Sequence, residues 1–159
     1  MQEEKTNVIL FIDNYSANEK HHLEVAWNGK FGAKFKDENY FFRLQVAEAV
    51  CERIETVNID LIHELFMTLG RVAQLNFSVY KNYHMLTQEL LERGGHIYLF
   101  DYVCVAHISF DTFLSTANIR LSSERKKEIL AYFDYLKKEE TNLENQKLLA
   151  DHIRSRFVE

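Results

Sequence analysis

Seven histidines, His21, His22, His63, His84, His96, His107 and His152, and an aspartate inside an apolar run, Asp101, are the residues of this 159-residue chain whose types could do chemistry. Imidazole is the commonest transition-metal ligand and the side chain that exchanges protons near neutral pH. The spacings work against a metal. His63-Glu64 opens like the helix of a zinc protease, but the second histidine should stand four positions after the first, where the chain has Met67. His21 and His22, neighbours on an expected strand, point to opposite faces. His63 and His84 meet only if two helices bring them together. The reading is no metal and no cofactor, with histidines that face solvent or hydrogen-bond locally.

Asp101 sits in the run Ile97 to Ile108, and a carboxylate in apolar surroundings has to be paired, protonated or at a site. The expected partner is a backbone amide or an arginine such as Arg43, Arg53 or Arg71. The functional alternative is acid–base work with His63, His84 or His107. His107 shares the strand face of Asp101 but lies about 20 Å along it, beyond contact. Other chemistries lack their motifs. There is no Gly-x-Ser-x-Gly elbow, Gly29-Lys30-Phe31-Gly32 has neither the length nor the ending of a phosphate loop, and Glu48, Glu52, Glu55 and Glu64 lack the Glu-x-x-His spacing of a di-iron bundle. Cys51 and Cys104 stand far apart among apolar neighbours and read as small buried hydrophobes.

The elements that would position these groups are read from periodicity. Val8 to Ile12 is β-branched and aromatic, a buried strand. Leu23, Val25 and Trp27, then Phe31, Ala33 and Phe35, alternate with their neighbours as two strands of a hairpin, joined through Asn28-Gly29-Lys30 by a loop with a bulge. Asp37 caps a helix carrying Tyr40, Leu44, Ala47, Cys51 and Ile54. Asn58 starts a second, with Ile62, Leu65, Phe66, Leu69, Val72 and Ala73 on one face and Gly70 inside it. Asn76 and Ser78 turn the chain into a third helix that stops at Gly94-Gly95. Ile97 to Ile108, apolar on both alternating faces, reads as a central strand. After a junction over 109–121, Ser122 or Ser123 caps a helix with Ile129, Tyr132, Phe133 and Leu136, and Thr141 with Glu144 forms a capping box before Leu148, Leu149, Ile153 and Phe157. The expected class is α+β: a small, largely antiparallel sheet packed with five or six helices. No repeat or linker divides the chain, so residues 1–159 read as one domain.

With 47% hydrophobic residues, 27% charged, no proline and two cysteines, the composition excludes a disulfide scaffold and wholesale disorder. Nineteen Lys and Arg against 24 Asp and Glu leave a net charge of -5, which disfavours general nucleic-acid binding. The start, Met1-Gln2-Glu3-Glu4-Lys5, carries acids where an export signal carries bases, and no run reaches membrane-spanning length, so a cytoplasmic location is expected. A winged-helix-like DNA regulator is one alternative: Leu65 to Gln74, a turn at Leu75 to Ser78, a recognition helix from Val79 to Arg93, and a wing at Gly94-Gly95 and Ile97. That helix offers only Lys81 and Arg93 as bases. A small enzyme using Asp101 with a histidine is another. The favoured reading is a non-enzymatic protein that binds another macromolecule: a small acidic inhibitor, immunity or adaptor protein of microbial or phage type. Its partner is a protein, with Tyr132 and Tyr135 as contact residues. Surplus aromatics, Phe41 and Phe42 among them, suit a homo-oligomer equally.

Overall fold

Asn58 ends an irregular stretch and starts the longest helix of the chain. Its Oδ1 accepts the backbone N–H of Asp60 at 2.9 Å, and α3 (Ile59–Asn76) follows. The computed structural model describes residues 2–158 and sets around α3 the helices α1 (Gln2–Asp13), α2 (Tyr40–Cys51), α4 (Tyr83–Gly94), α5 (Leu99–Ala106), α6 (Phe110–Ala117), α7 (Ser123–Glu139), α8 (Leu143–Leu148) and α9 (Asp151–Arg154). Helix α3 packs on α2, α4, α5 and α6, while α1 lies on α2. Helix α7 crosses the 3-10 turn Gly95–Tyr98 and the closing turn Ser155–Phe157. The α+β expectation is corrected: among the described residues there is no strand and no sheet, and the protein is all-α. Nor, among them, is any helix long and apolar enough to cross a membrane.

Each expected strand has a physical reason to be something else. Val8 to Ile12 lies within α1, where Val8 and Ile12, four apart, are buried and Leu10 between them is exposed; that is a helix face. Ile97 to Ile108 becomes the turn Gly95–Tyr98 and then α5, with Leu99, Tyr102, Val103 and Ala106 buried at helical spacing. A continuous apolar run fits a buried strand and a buried helix alike. The hairpin is replaced by an irregular segment holding the 3-10 turns Ala17–His22 and Gly32–Lys34 and one isolated antiparallel bridge, Trp27 to Asp37. Asn28-Gly29 does turn the chain, but the Asn28 side chain closes the turn where a ladder was expected. Its Nδ2 donates to the Lys34 carbonyl at 2.9 Å and its Oδ1 accepts the N–H groups of Lys30 and Lys36, both at 3.1 Å.

What holds this segment down is Arg43, fully buried on α2. Its guanidinium donates to the carbonyls of Leu23 at 2.6 Å and Glu24 at 2.7 Å and to Asp37 Oδ2 at 2.7 Å. Asp37 is therefore not the helix cap expected for it. Its other oxygen accepts the N–H groups of Ala26 and Asn39, and Asn39 is the residue before α2. Gly70 has an equally specific cause, since a Cβ there would stand 2.8 Å from Val105 on α5 and 2.9 Å from the Tyr83 hydroxyl on α4. Side chains from both neighbouring helices fill the space that a Cβ would need.

The remaining ends match their signals more closely. Ser122 caps α7, accepting from the N–H of Arg125. The junction over 109–121 contains α6, opened by a Ser109–Thr112 capping box. Asn142, one residue after the expected Thr141, caps α8. Leu149, Ile153 and Phe157 are buried together as expected. Arg43→Ala leaves the Asp37 carboxylate buried without its cation, and unfolding in urea is expected to show a loss of about 3–5 kcal/mol. Limited proteolysis should open first between residues 17 and 36. A loss under about 1 kcal/mol would mean that the pair does not anchor the segment.

Candidate functional site

The N-terminal half of α3 and the start of α5 bring together what the sequence keeps far apart. His63 Nε2 and Asp101 Oδ2 lie 2.8 Å apart, both side chains partly exposed. Of the histidines considered for Asp101, His63 is the one that meets it. The arginines expected there go elsewhere: Arg43 to Asp37, Arg53 to Asp13 and Arg71 to Gln74. The Tyr98 ring rests on the His63 ring, centroids 4.7 Å apart, and its hydroxyl donates to Asp60 Oδ1 at 3.5 Å. Glu64, nearly buried, takes Lys20 at 3.1 Å. Asp60, three positions before His63, thus shares Tyr98 with it, while Glu64 is paired with Lys20 and Arg93 lies close enough to Tyr98 to oppose the acids. Asp60 and Asp101 stand in the first turns of α3 and α5, where the positive ends of the helices stabilise carboxylates.

The field of these acids shows in their neighbours. Tyr15 is pushed up to about 12, by burial first and then by Glu64 and Asp60. Tyr98 is also raised, by burial and then by Asp60 and Asp101. Cys104 is raised by burial with Asp101 adding to it, and Cys51 is raised chiefly by burial. Both thiols are thereby kept from acting as thiolates. In the neutral tautomer that donates from Nε2 to Asp101, the lone pair of His63 would lie on Nδ1, the arrangement of an oriented base. The cluster also presents negative charge beside two aromatic rings, which suits a lysine or arginine from outside.

The other predicted residues lie apart from it. His107, the residue that follows α5 and not on a strand, donates from Nδ1 to the Val103 carbonyl at 2.8 Å, and its ring stands 5.5 Å from that of His152. His84 lines a separate hollow with Gln88, Asn118 and Arg120. His21 and His22 sit in a 3-10 turn with rings 3.9 Å apart, not on opposite faces of a strand. Among the described residues no group of three or more His, Cys, Asp or Glu is placed to hold a metal ion. Tyr132 leans on His96, Tyr135 stacks on Tyr132 and is 56% exposed, and Phe133 is fully buried. Where a wing was expected there is helix. Lys81 pairs with Glu48 at the surface, and Arg93 reaches the Ile54 and Val57 carbonyls and Glu89.

A second surface, at the other end of α3, escaped the periodicity argument. Phe77 follows α3 in the left-handed region, φ 57° and ψ 35°, with its ring 78% exposed. A bulky residue there costs about 1–3 kcal/mol that glycine avoids. Phe41 on α2 is equally exposed. Beside them lie two adjoining hollows that share Tyr40 and Asn76. One, about 320 Å³, has Leu44, Leu69, Val72 and Val79 in its wall; the other, about 550 Å³, has Phe35 and Phe41. The signal in the sequence was a phenylalanine standing where a helix end favours Gly or Asn.

Comparison with protein-family models, curated proteins and solved structures found no match for the chain. Its chemistry is read from the geometry alone. Because burial raises both thiols, Cys51 and Cys104 are expected to alkylate more slowly than glutathione at neutral pH, with the rate climbing at a higher pH than for the free thiol. Mass spectrometry of timed iodoacetamide reactions reads this out. A thiol that reacts as fast as glutathione at neutral pH would contradict the assigned environment.

Proposed function

We propose that the protein acts without catalysis, as a small acidic inhibitor, immunity or adaptor protein of microbial or phage type that binds a basic segment of another protein in the cytoplasm. The observation that supports this reading is the pairing of Asp101 with His63 beside Tyr98, with Asp60 on the Tyr98 hydroxyl and both Glu64 and Asp60 acting on Tyr15. An excess of carboxylates steers a cationic partner, and the tyrosine faces add cation–π contact at close range. The net charge of -5 acts in the same direction at longer range. Free thiols at Cys51 and Cys104 suit a reducing compartment.

The test is capture of the partner from the source cells by the tagged chain, identification by mass spectrometry, and titration of the purified pair. Asp60→Lys and Asp101→Lys are each expected to weaken binding about tenfold at low salt, with the effect shrinking as salt screens the charges. Glu124→Lys and Glu144→Lys, on α7 and α8, should change it much less. Equal weakening by all four reversals, or by none, would sink the reading.

The 2.8 Å contact favours one further reading, a small enzyme in which Asp101 orients His63 as a general base. It predicts turnover of an activated ester such as p-nitrophenyl acetate that His63→Gln abolishes and His84→Gln leaves intact. If both variants lose the same fraction of the rate, the activity belongs to ordinary surface imidazoles and the enzyme reading falls.

A further inference from the structure

We infer that the loop over 27–36 docks the protein on an anionic phospholipid surface, with Lys30, Lys34 and Lys36 on the headgroups and Phe31 entering the layer beneath them. The loop, Trp27-Asn28-Gly29-Lys30-Phe31-Gly32-Ala33-Lys34-Phe35-Lys36, holds three lysines, three aromatics and no acid, in a chain whose 24 acids outnumber its 19 Lys and Arg. Among the described residues its three ammonium groups enter no ion pair and no side-chain hydrogen bond. They do nothing to hold the loop together. Its base is closed by the bridge from Trp27 to Asp37 and by the Asn28 N–H, which donates to the Lys36 carbonyl at 3.0 Å. Its interior is tied by the Asn28 side chain and by Trp27, whose Nε1 donates to the Lys30 carbonyl at 2.8 Å. A loop fixed in this way loses little freedom on binding.

The tip projects into solvent. Gly29 and Gly32, both at positive φ, bracket Lys30 and Phe31, and a Cβ added at either would have no atom within 4 Å. Every residue from 28 to 34 is exposed, and the Phe31 ring, 57% exposed, meets only the edge of Trp27 among the aromatic rings, centroids 4.8 Å apart. A bilayer sets anionic headgroups above apolar chains, and aromatic rings flanked by lysines match that order. A single nucleic-acid strand, by contrast, is held along a groove with several ring faces open to its bases. Here one ring projects and the indole is tied into the loop. The net charge of -5 opposes docking only weakly, because charges beyond about 8 Å are screened at physiological salt. Asp37, at the base of the loop, is already neutralised by Arg43.

Flotation of the intact protein with lipid vesicles tests this, and Trp27, the single tryptophan of the chain, reports on the loop itself. The protein is expected to float with vesicles of mixed phosphatidylcholine and phosphatidylserine at low salt. It should stay behind with phosphatidylcholine alone and leave the anionic vesicles as salt rises. Trp27 emission should shift to the blue on binding. Lys30→Glu and Lys34→Glu should each lower the partition at least about fivefold, and Phe31→Ser about tenfold, with the melting temperature kept because these side chains stand in solvent. Lys127→Glu, exposed on α7, should change the partition little. No flotation, equal flotation on both vesicles, or flotation that survives all three loop substitutions overturns the inference. So does a single-stranded oligonucleotide that the loop binds in place of the vesicles. Partner capture through Asp60 and Asp101 stands or falls separately, because neither residue belongs to this loop.

Discussion

The buried pair of Arg43 and Asp37 carries more of the structure than any other single contact. Between α1 and α2 the chain runs for more than two dozen residues with no ladder to satisfy its backbone. Arg43 supplies donors to two of its carbonyls, and Asp37 supplies an acceptor to two of its N–H groups. Asn39 adds donors to the carbonyls of His21 and Glu24. One ion pair thus does locally what a sheet would have done by repetition. A charge buried this deeply is tolerated because almost every hydrogen-bonding direction of the guanidinium is used. The arrangement makes α2 the fixed point against which α1, the irregular segment and the Phe41 face are all placed.

The legibility of the sequence follows from which forces act locally. Helix α3 could be read because its apolar residues repeat at one spacing and Asn58 caps it with its own side chain. Helix α4 could be read for its stop at the double glycine, and Gly95 does adopt a positive φ of 57°. The strands were misread because β-branched and aromatic residues indicate burial as much as conformation. Val8, Ile12, Phe11 and Tyr15 already carry helical spacing beneath a strand-like composition. Length could have settled Ile97 to Ile108, since twelve residues exceed an ordinary buried strand. The segment over 23–37 had no such arbiter. Its conformation depends on Arg43, which lies outside it in sequence and shows no local mark of its role.

The acidic cluster was half legible. Asp101 was conspicuous because it interrupts an apolar run, and His63 was among its named partners. What could not be read was that α5 is a helix, which turns Asp101 toward α3 and separates it from His107. The cysteines, read as buried, are only partly so, and that partial burial is what raises both thiols. The exposed ring at position 77 was hidden for the opposite reason, whereas Phe41 already stood out as a surplus aromatic. Exposure is a property of what fails to pack, and hydrophobic periodicity reports only what does.

Helix α3 also sets a distance. His63 and Phe77 lie fourteen positions apart along it, roughly 21 Å at the rise of an α-helix. The side chains that close on Gly70 and the buried stripe from Leu61 to Leu75 pack that helix between its neighbours. Two surfaces on the ends of one rigid rod do not compete for space.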